Sequence, residues 1–341
     1  MTKTSLYSLI LLSSTLLGMT DAVASLKVSQ TATPTVISSL ADKKLLTDIT
    51  SVGSRLFSLG ERGHIIYSEN GTDWTQAKVP VNVLLTSISF SSEKTGFAVG
   101  HDATILKTTD GGESWTLLNY QPELDRPLLA VKSFGNEVVA VGAYGLFWQS
   151  KDSGNTWTQE FHDELLFKED REFLLEIKDS DPELYEIEKQ YLLPHFNDVY
   201  LSGDNWYLAG EAGFVAQSSN QGNDWEKLDV DYYGSFFSLT KNEQENLVVA
   251  GLRGNVFEES SDAWQAFSMD GKATINDILV YKETVFLFAN SGNLYFSANG
   301  EDFKHYVFDD GKAVMSGVVK NSNLVLATEA GIKFIPLATL K

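Results

Sequence analysis

The hydrophobic positions of this chain fall into short runs that are separated by glycine-containing turns. Apolar runs such as residues 138–141 and alternating runs such as residues 86–90 are typical of β-strands, since helices need apolar residues three and four positions apart. A turn of the form Gly-x-x-Gly, or a degenerate version of it, joins two such runs and recurs about every 40 residues, which indicates an internal repeat. The seven copies begin at residues 60, 100, 142, 210, 251, 289 and 328.

Each repeat has the pattern of four strands. A further strand-like run precedes the two that flank the turn, and a fourth run begins at an aromatic residue. Four short strands in a unit of about 40 residues are the signature of a β-propeller blade. The sequence therefore predicts an all-β fold, a seven-bladed β-propeller over residues 25–341. The aromatic residues that open the fourth strands are Trp74, Trp115, Trp157, Trp225, Trp264 and Phe303.

The seventh repeat contains only three strand-like runs up to residue 335. A propeller closes into a ring, and unpaired strand edges are avoided in native proteins. We therefore expect residues 35–40 to form the missing outer strand, paired with residues 332–335.

An insertion separates the third and fourth repeats, whose turns begin at residues 142 and 210. Residues 162–194 have apolar positions at helical spacing, and Asp181 before Pro182 is a helix start signal. We predict two short amphipathic helices between blades 3 and 4. A connection from an outer to an inner strand lies on the face that carries the Gly-x-x-Gly turns, so the insertion should cover part of that face.

Composition narrows the classes of function. The chain has 46 acidic and 26 basic residues, and its net charge of -20 disfavours binding to nucleic acid. The absence of cysteine excludes disulfides and thiol chemistry. The five histidines do not have metal-ligand spacing, so neither a metal nor a cofactor is predicted. A loop calcium site at Asp309 and Asp310 stays open as an alternative.

The first 24 residues have the pattern of a secretory signal peptide. Lys3 precedes an apolar run over residues 6–19, and residues 22–24 match a small-x-small cleavage site. The alternative is an uncleaved anchor, but the run is shorter than the roughly 20 residues of a membrane span. We predict cleavage after Ala24 and a periplasmic location, with an extracellular one as the alternative. No later segment has the sequence of a membrane span.

A second motif lies in the hairpin before each aromatic residue. Residues 108–115 and 150–157 fit the pattern Ser/Thr-x-Asp-x-Gly-x-Ser/Thr-Trp, and residues 218–225 have Asn in place of Asp. The Asp or Asn side chain can cap turn amides and the glycine can adopt a positive φ. These Asp-boxes are therefore predicted to stabilise hairpins and not to catalyse a reaction.

These motifs resemble the Asp-box (BNR-repeat) propellers. The combination of the apolar strand, the Gly-x-x-Gly turn and Asp-Gly-Gly-x-x-Trp resembles the photosystem II assembly and stability factor family over residues 35–336. The resemblance implies a propeller that binds a precursor reaction-centre subunit through an arginine-rich patch. This chain has five arginines, and only Arg62 and Arg253 occupy equivalent turns. We therefore expect a homologue that docks a different partner.

The turns differ in chemistry while the scaffold repeats, and loops on a rigid scaffold often carry function. We predict a non-catalytic propeller that binds a protein of the cell envelope, as an assembly factor or as an accessory subunit of a membrane protein or transporter. Phe167, Phe173 and Tyr185 of the insertion are additional candidates for contact with this partner. The alternative is a sialidase-like glycoside hydrolase, which would need an arginine clamp. The candidate partner-binding residues are Arg62, His101, Tyr144, Glu211, Arg253, Asn290, Arg126, Tyr232 and Tyr233.

Overall fold

The computed structural model describes residues 25–260, 263–300 and 302–340. The predicted signal peptide, residues 1–24, lies outside these ranges. The described strands form seven antiparallel sheets, six of four strands and a last one of three. The prediction of a seven-bladed β-propeller is therefore confirmed.

The strands of each blade pair in chain order, from the inner strand beside the central channel to the outer strand at the rim. Their bounds are β1 Leu46–Val52, β2 Arg55–Gly60, β3 Ile65–Ser68 and β4 Thr75–Gln76; β5 Leu85–Phe90, β6 Gly96–Gly100, β7 Thr104–Thr108 and β8 Thr116–Asn119; β9 Leu128–Phe134, β10 Glu137–Gly142, β11 Phe147–Ser150 and β12 Thr158–Gln159; β13 Phe196–Ser202, β14 Asn205–Gly210, β15 Val215–Ser218 and β16 Glu226–Lys227; β17 Phe236–Lys241, β18 Leu247–Gly251, β19 Val256–Ser260 and β20 Ala263–Ala266; β21 Ile275–Tyr281, β22 Thr284–Ala289, β23 Asn293–Ser297 and β24 Lys304–Val307; β25 Val314–Lys320, β26 Asn323–Thr328 and β27 Gly331–Pro336.

The core consists of apolar layers between neighbouring blades. The second strand of each blade is covered on both faces, which is why it reads as a continuous apolar run; residues 138–141 of β10 are an example. Phe57 of blade 1 and Trp115 of blade 2 lie in one such layer. The aromatic residue at the start of an outer strand thus joins its blade to the preceding one.

A β-bulge near the start of each inner strand shapes the central channel. In β1 the pairing with β2 shifts between Leu46 and Asp48, and β13 shifts between Phe196 and Asp198. A bulge bends a strand and redirects the side chain that follows it. The side chains of Asp48 and Asp198 therefore line the channel together with Asp277 of β21.

The predicted helical insertion is confirmed between the third and fourth sheets along the chain. Helix α1 spans Lys168–Ser180 and helix α2 spans Pro182–Glu188. The carboxylate of Asp181 caps α2 by accepting a hydrogen bond from the Leu184 amide at 3.1 Å. Neither helix of the described chain combines the length and the apolar character that a membrane span requires.

The predicted closing strand is wrong. Residues 35–40 form no strand, and no described strand pairs with the outer edge of β27. The amide of Thr35 instead donates to the carbonyl of Val79 at 3.1 Å, and its hydroxyl donates to the carbonyl of Arg62 at 2.7 Å. These bonds hold Thr35 beside blade 1 and not along the outer edge of β27.

Side-chain packing closes the ring in place of that strand. Leu46, Ile49 and Leu56 of blade 1 share a buried cluster with Val325 and Ala327 of blade 7. Because both blades present a full apolar face, the seam is joined in the same way as the other blade interfaces.

Candidate functional site

The seven Gly-x-x-Gly turns and the connection that carries the insertion lie on one face of the propeller, which we call the turn face. In every turn the amide of the second residue donates to the carbonyl just before the inner strand, as Glu61 does to Leu45 at 3.1 Å. A Cβ at Gly60 would lie 2.0 Å from the same carbonyl oxygen, so this turn requires glycine at its first position. The third residue of six turns has a positive φ, as in Arg62 (φ 57°) and Tyr144 (φ 53°).

The candidate residues occupy two different positions of the turns. Arg62, Tyr144 and Arg253 occupy the third position, and their side chains are exposed. The candidates His101, Glu211 and Asn290 occupy the second position, where the amide is used by the scaffold. The third residues of those three turns are Asp102, Ala212 and Ser291.

An aromatic cluster at blades 3 and 4 brings two predicted residues together. Arg126 is only 6% exposed, and its guanidinium lies 5.5 Å from the ring centroid of Tyr144 and 4.5 Å from that of Tyr191. The ring of Tyr144 meets the ring of His195 edge to face at 4.6 Å. We call Arg126, Tyr144, Tyr191 and His195 the aromatic box.

The electrostatics of the aromatic box leave a cation without a counter-ion. No described carboxylate lies within ion-pair distance of Arg126, whose side chain bonds to Gln190 at 3.4 Å. Glu211 lies instead 3.4 Å from the imidazole of His195. A buried guanidinium between two rings can bind an anionic or planar group that approaches from the turn face.

Two members of the aromatic box were absent from the sequence prediction. Tyr191 lies at the end of the insertion and His195 directly after it, where no local motif marks them. Their contact with Tyr144 arises because the insertion returns to the start of β13 beside the third turn. An isolated aromatic residue at the end of an insertion is the only signal that the sequence contains.

A second concave region lies over blade 1. A cavity of about 660 Å³ is lined by Arg62, Lys44, His64 and residues 36–39. Burial lowers the pKa of His64, so its imidazole is neutral at pH 7. Arg62 therefore belongs to a cleft that the N-terminal segment helps to form.

Tyr232 and Tyr233 have different roles. The hydroxyl of Tyr232 donates to the carbonyl of Leu252 at 3.1 Å, and its ring packs on Phe236 and Phe257. Tyr233 is 86% exposed. Of this pair, only Tyr233 is free to contact a partner.

The arginine clamp of the glycosidase alternative is not assembled. The cleft that contains Arg62 includes neither Arg126 nor Arg253, and Arg126 is held in the aromatic box. In the loop considered for calcium, the carboxylate of Asp310 forms an ion pair with Lys333 at 2.7 Å. Within the described ranges, no group of three or more acidic or histidine side chains is placed to hold a metal ion.

A polar belt inside the channel was also missed by the sequence prediction. The carboxylate of Asp48 accepts the amide of Ile88 in the next blade at 2.9 Å, and the hydroxyl of Ser316 bridges Asp277 (2.7 Å) and Asp48 (3.2 Å). Burial raises the pKa of Asp48 to about 6, and the ammonium group of Lys132 partly opposes this shift. The belt links blades, and its signal is the repeated Asp after the bulge.

Comparison with known proteins identifies similar propellers. Residues 66–168 match the family model described as photosynthesis system II assembly factor YCF48. A photosystem II assembly lipoprotein, Ycf48, from Synechococcus sp. (strain CC9902) is 22% identical over 240 residues, which covers 69% of this chain. The match spans 62% of the length of that relative.

Solved structures show the same fold. A structure described as YCF48 bound to D1 peptide has a TM-score of 0.65 at 16% identity and covers 89% of this chain and 98% of the other. YCF48 from Cyanidioschyzon merolae has a TM-score of 0.64 at 15% identity and covers 88% of this chain and 97% of the other.

The names of these relatives denote assembly factors, in agreement with the prediction that the chain is not an enzyme. The Asp-box motifs, the seven sheets and the family model all indicate a propeller of this kind. The chain is a seven-bladed β-propeller that is similar to the photosystem II assembly factor YCF48.

Proposed function

We propose that this protein is exported and binds, through its turn face, a protein of the cell envelope, as an assembly factor or as an accessory subunit of a membrane protein or transporter. The observation that carries the proposal is the aromatic box. Arg126 is buried between Tyr144 and Tyr191 without a described carboxylate partner. Arginine and tyrosine in such a setting are the usual anchors of protein interfaces.

Two further observations support a protein partner. One of the similar propellers was solved with a D1 peptide, so a propeller of this fold can bind a segment of a membrane protein. In addition, the exposed Arg62, Arg253 and Tyr233 are spread around the same face. A partner that contacts several blades would use all of them.

Affinity purification from envelope membranes tests the proposal. We expect the wild-type protein to retain a membrane protein, and the double substitution Tyr144→Ala/Tyr191→Ala to reduce its recovery by about tenfold or more, as loss of about 1.4 kcal/mol of binding free energy would do. Phe134→Ala is the matched control, because Phe134 is an exposed aromatic residue at the end of β9 opposite the turn face. Equal recovery with all three proteins would contradict the proposed site.

Export has its own test. We expect the protein to be recovered from the periplasmic fraction with Ser25 as its first residue, as measured by intact mass. A mature protein that retains residues 1–24 would contradict the predicted cleavage.

A further inference from the structure

Blade 7 has an open edge in the described part of the chain. In blade 1 the outer strand bonds to the third strand, and the amide of Ala77 donates to the carbonyl of Ile65 at 2.8 Å. Ile65 pairs with Leu59 on its other side, and in blade 7 Ile332 pairs with Ala327 in the same register. The carbonyl of Ile332 therefore faces the place of an outer strand, where no described residue bonds to it.

The remaining backbone groups of this edge follow from strand geometry. Residues two apart on an antiparallel strand point their N–H and C=O groups in the same direction. The N–H and C=O groups of Phe334 therefore also point toward the place of the outer strand. The side chain of Phe334 is 42% exposed. Pro336, at the next outward position, has no N–H to leave unpaired. The edge can accept one short antiparallel strand.

In the other blades an aromatic residue opens the outer strand. In the described chain, the place for such a residue is empty at blade 7. Trp157 of blade 3 packs edge to face on Phe97 of blade 2, with ring centroids 5.9 Å apart. Phe97 lies three residues before the end of the second strand of blade 2. Phe286 has the same position in β22 of blade 6. The side chain that would pack on Phe286 is not supplied by a hairpin of blade 7.

A cavity is present beside Phe286. Its volume is about 290 Å³, and Phe296, Tyr281, Leu337 and Leu340 contribute to its lining. The two leucines follow β27 where an Asp-box hairpin follows the third strand of the other blades, and they fill the space only in part. The cavity can hold one phenylalanine or tryptophan side chain.

The rim of the cavity is cationic, although the whole chain is acidic. Lys282 and Lys304 line it, and neither forms an ion pair with a described residue. Among the described residues of the lining, Asp302 is the one acidic side chain. A bound segment with an acidic residue beside its aromatic side chain would complement these two charges.

We propose that the outer edge of β27 and this cavity together form a docking site for an extended segment of a partner protein. The segment adds to blade 7 as a fourth antiparallel strand, places an aromatic side chain against Phe286, and carries an acidic residue near Lys282 and Lys304. This mode is β-augmentation, in which main-chain bonds provide affinity and a pocket provides specificity. The site lies on the rim and goes beyond the proposed function of the turn face.

A peptide with the sequence of residues 113–119, Glu-Ser-Trp-Thr-Leu-Leu-Asn, serves as the probe, because it is the outer strand of blade 2 with its acidic and aromatic residues. We expect the fluorescein-labelled peptide to bind the full chain, as measured by fluorescence anisotropy. Replacement of its tryptophan by alanine should weaken binding by about tenfold or more, since a buried aromatic anchor contributes over 1.4 kcal/mol.

Two variants test the two halves of the site. Ala298→Trp fills the cavity from an exposed hairpin residue, and Phe334→Pro removes an outward N–H from the edge. Each should weaken peptide binding by about tenfold. Ala266→Trp, on the exposed outer strand of blade 5, is the matched control and should bind normally. Circular dichroism melting checks that each variant is folded.

Other outcomes would overturn the proposal. Unchanged binding to both folded variants would exclude the site. Binding only after removal of residues 1–24 would show that the chain itself fills the edge, and a dimer abolished by Phe334→Pro would show that a second copy does. Tyr144→Ala/Tyr191→Ala should leave peptide binding unchanged, which separates this site from the turn face.

Discussion

Two aspartates show how the surroundings of a residue determine its role. Asp48 lies in the channel, where burial raises its pKa to about 6. Asp152 lies on the rim in an Asp-box, where the amide and hydroxyl of Thr156 donate to its carboxylate and lower its pKa to about 2. Both hold the backbone, but only Asp48 lacks the solvent that favours its charge.

We expect Asp48 to make the protein less stable as the pH rises. Its pKa in the folded state lies above the unfolded value of 3.8, so the stabilisation is complete below pH 3.8 and is lost as the pH rises through about 6. Chemical denaturation of the wild type and Asp48→Asn across this range measures the difference, which should change by up to about 3 kcal/mol. Parallel pH profiles of the two proteins would refute this.

The Asp-box that contains Asp152 leads to a prediction about stability at pH 7. Asp152→Ala should lower the free energy of unfolding at pH 7 by about 1–2 kcal/mol, because two turn amides lose their acceptor. Asp152→Asn should cost less, since Asn220 accepts the Asp224 amide at the same place in blade 4. Urea denaturation measures both. An equal loss in the two variants would mean that the cap contributes through charge alone. Partner binding should not change, because the hairpin lies opposite the turn face.

Among the elements, the insertion is both part of the fold and part of the candidate site. Leu174 and Ile177 of α1 are buried in the same cluster as Phe214 and Trp225 of blade 4. The end of the insertion supplies Tyr191 to the aromatic box. Deletion of the whole insertion would therefore expose a core, and point variants are the better probes of its function.

Neighbouring leucines of α1 should differ in their contribution to stability. Leu174→Ala should cost about 2–5 kcal/mol, because it leaves a cavity in a packed cluster. Leu175→Ala should change stability by less than about 0.5 kcal/mol, since Leu175 is 57% exposed. Thermal and urea denaturation compare the two. Similar losses would indicate that α1 is docked through a different face.

At the scale of the whole molecule, seven similar blades form a ring with one distinct member. Blade 7 meets blade 1 through apolar packing and the bond from Ser316 to Asp48. The ammonium group of Lys320 adds a bond to the carbonyl of Ser54 at 2.7 Å. The ring is therefore closed at its inner strands, while the rim of blade 7 stays open in the described chain.

Hydrogen exchange should reveal this asymmetry. The amide of Phe334 is expected to exchange faster than that of Tyr67, which occupies the corresponding place in β3 and pairs with Thr75 of the outer strand. Exchange measured by nuclear magnetic resonance or mass spectrometry of short peptides compares the two. Equal protection would mean that another segment covers the edge of β27.

The sequence was sufficient for the architecture because the repeat is local. Five of the turns have glycine where the chain approaches a carbonyl, and the regular spacing of about 40 residues reveals the two degenerate copies at Ala289 and Thr328, so seven copies could be counted without a structure. The closing strand was wrong because residues 35–40 have the composition of a strand, but the bonds of Thr35 to Val79 and Arg62 place them elsewhere. Such long-range pairings have no local signal.

The sequence by itself determined the number of blades, the hairpin caps and the position of the insertion, because these depend on residues close together in the chain. Only the tertiary structure decided which side chains meet. The aromatic box joins Arg126 and Tyr144 to Tyr191 at the end of the insertion, and the channel belt joins Asp48 to Ser316. Those contacts depend on how the ring brings distant segments together, which the repeat pattern does not encode.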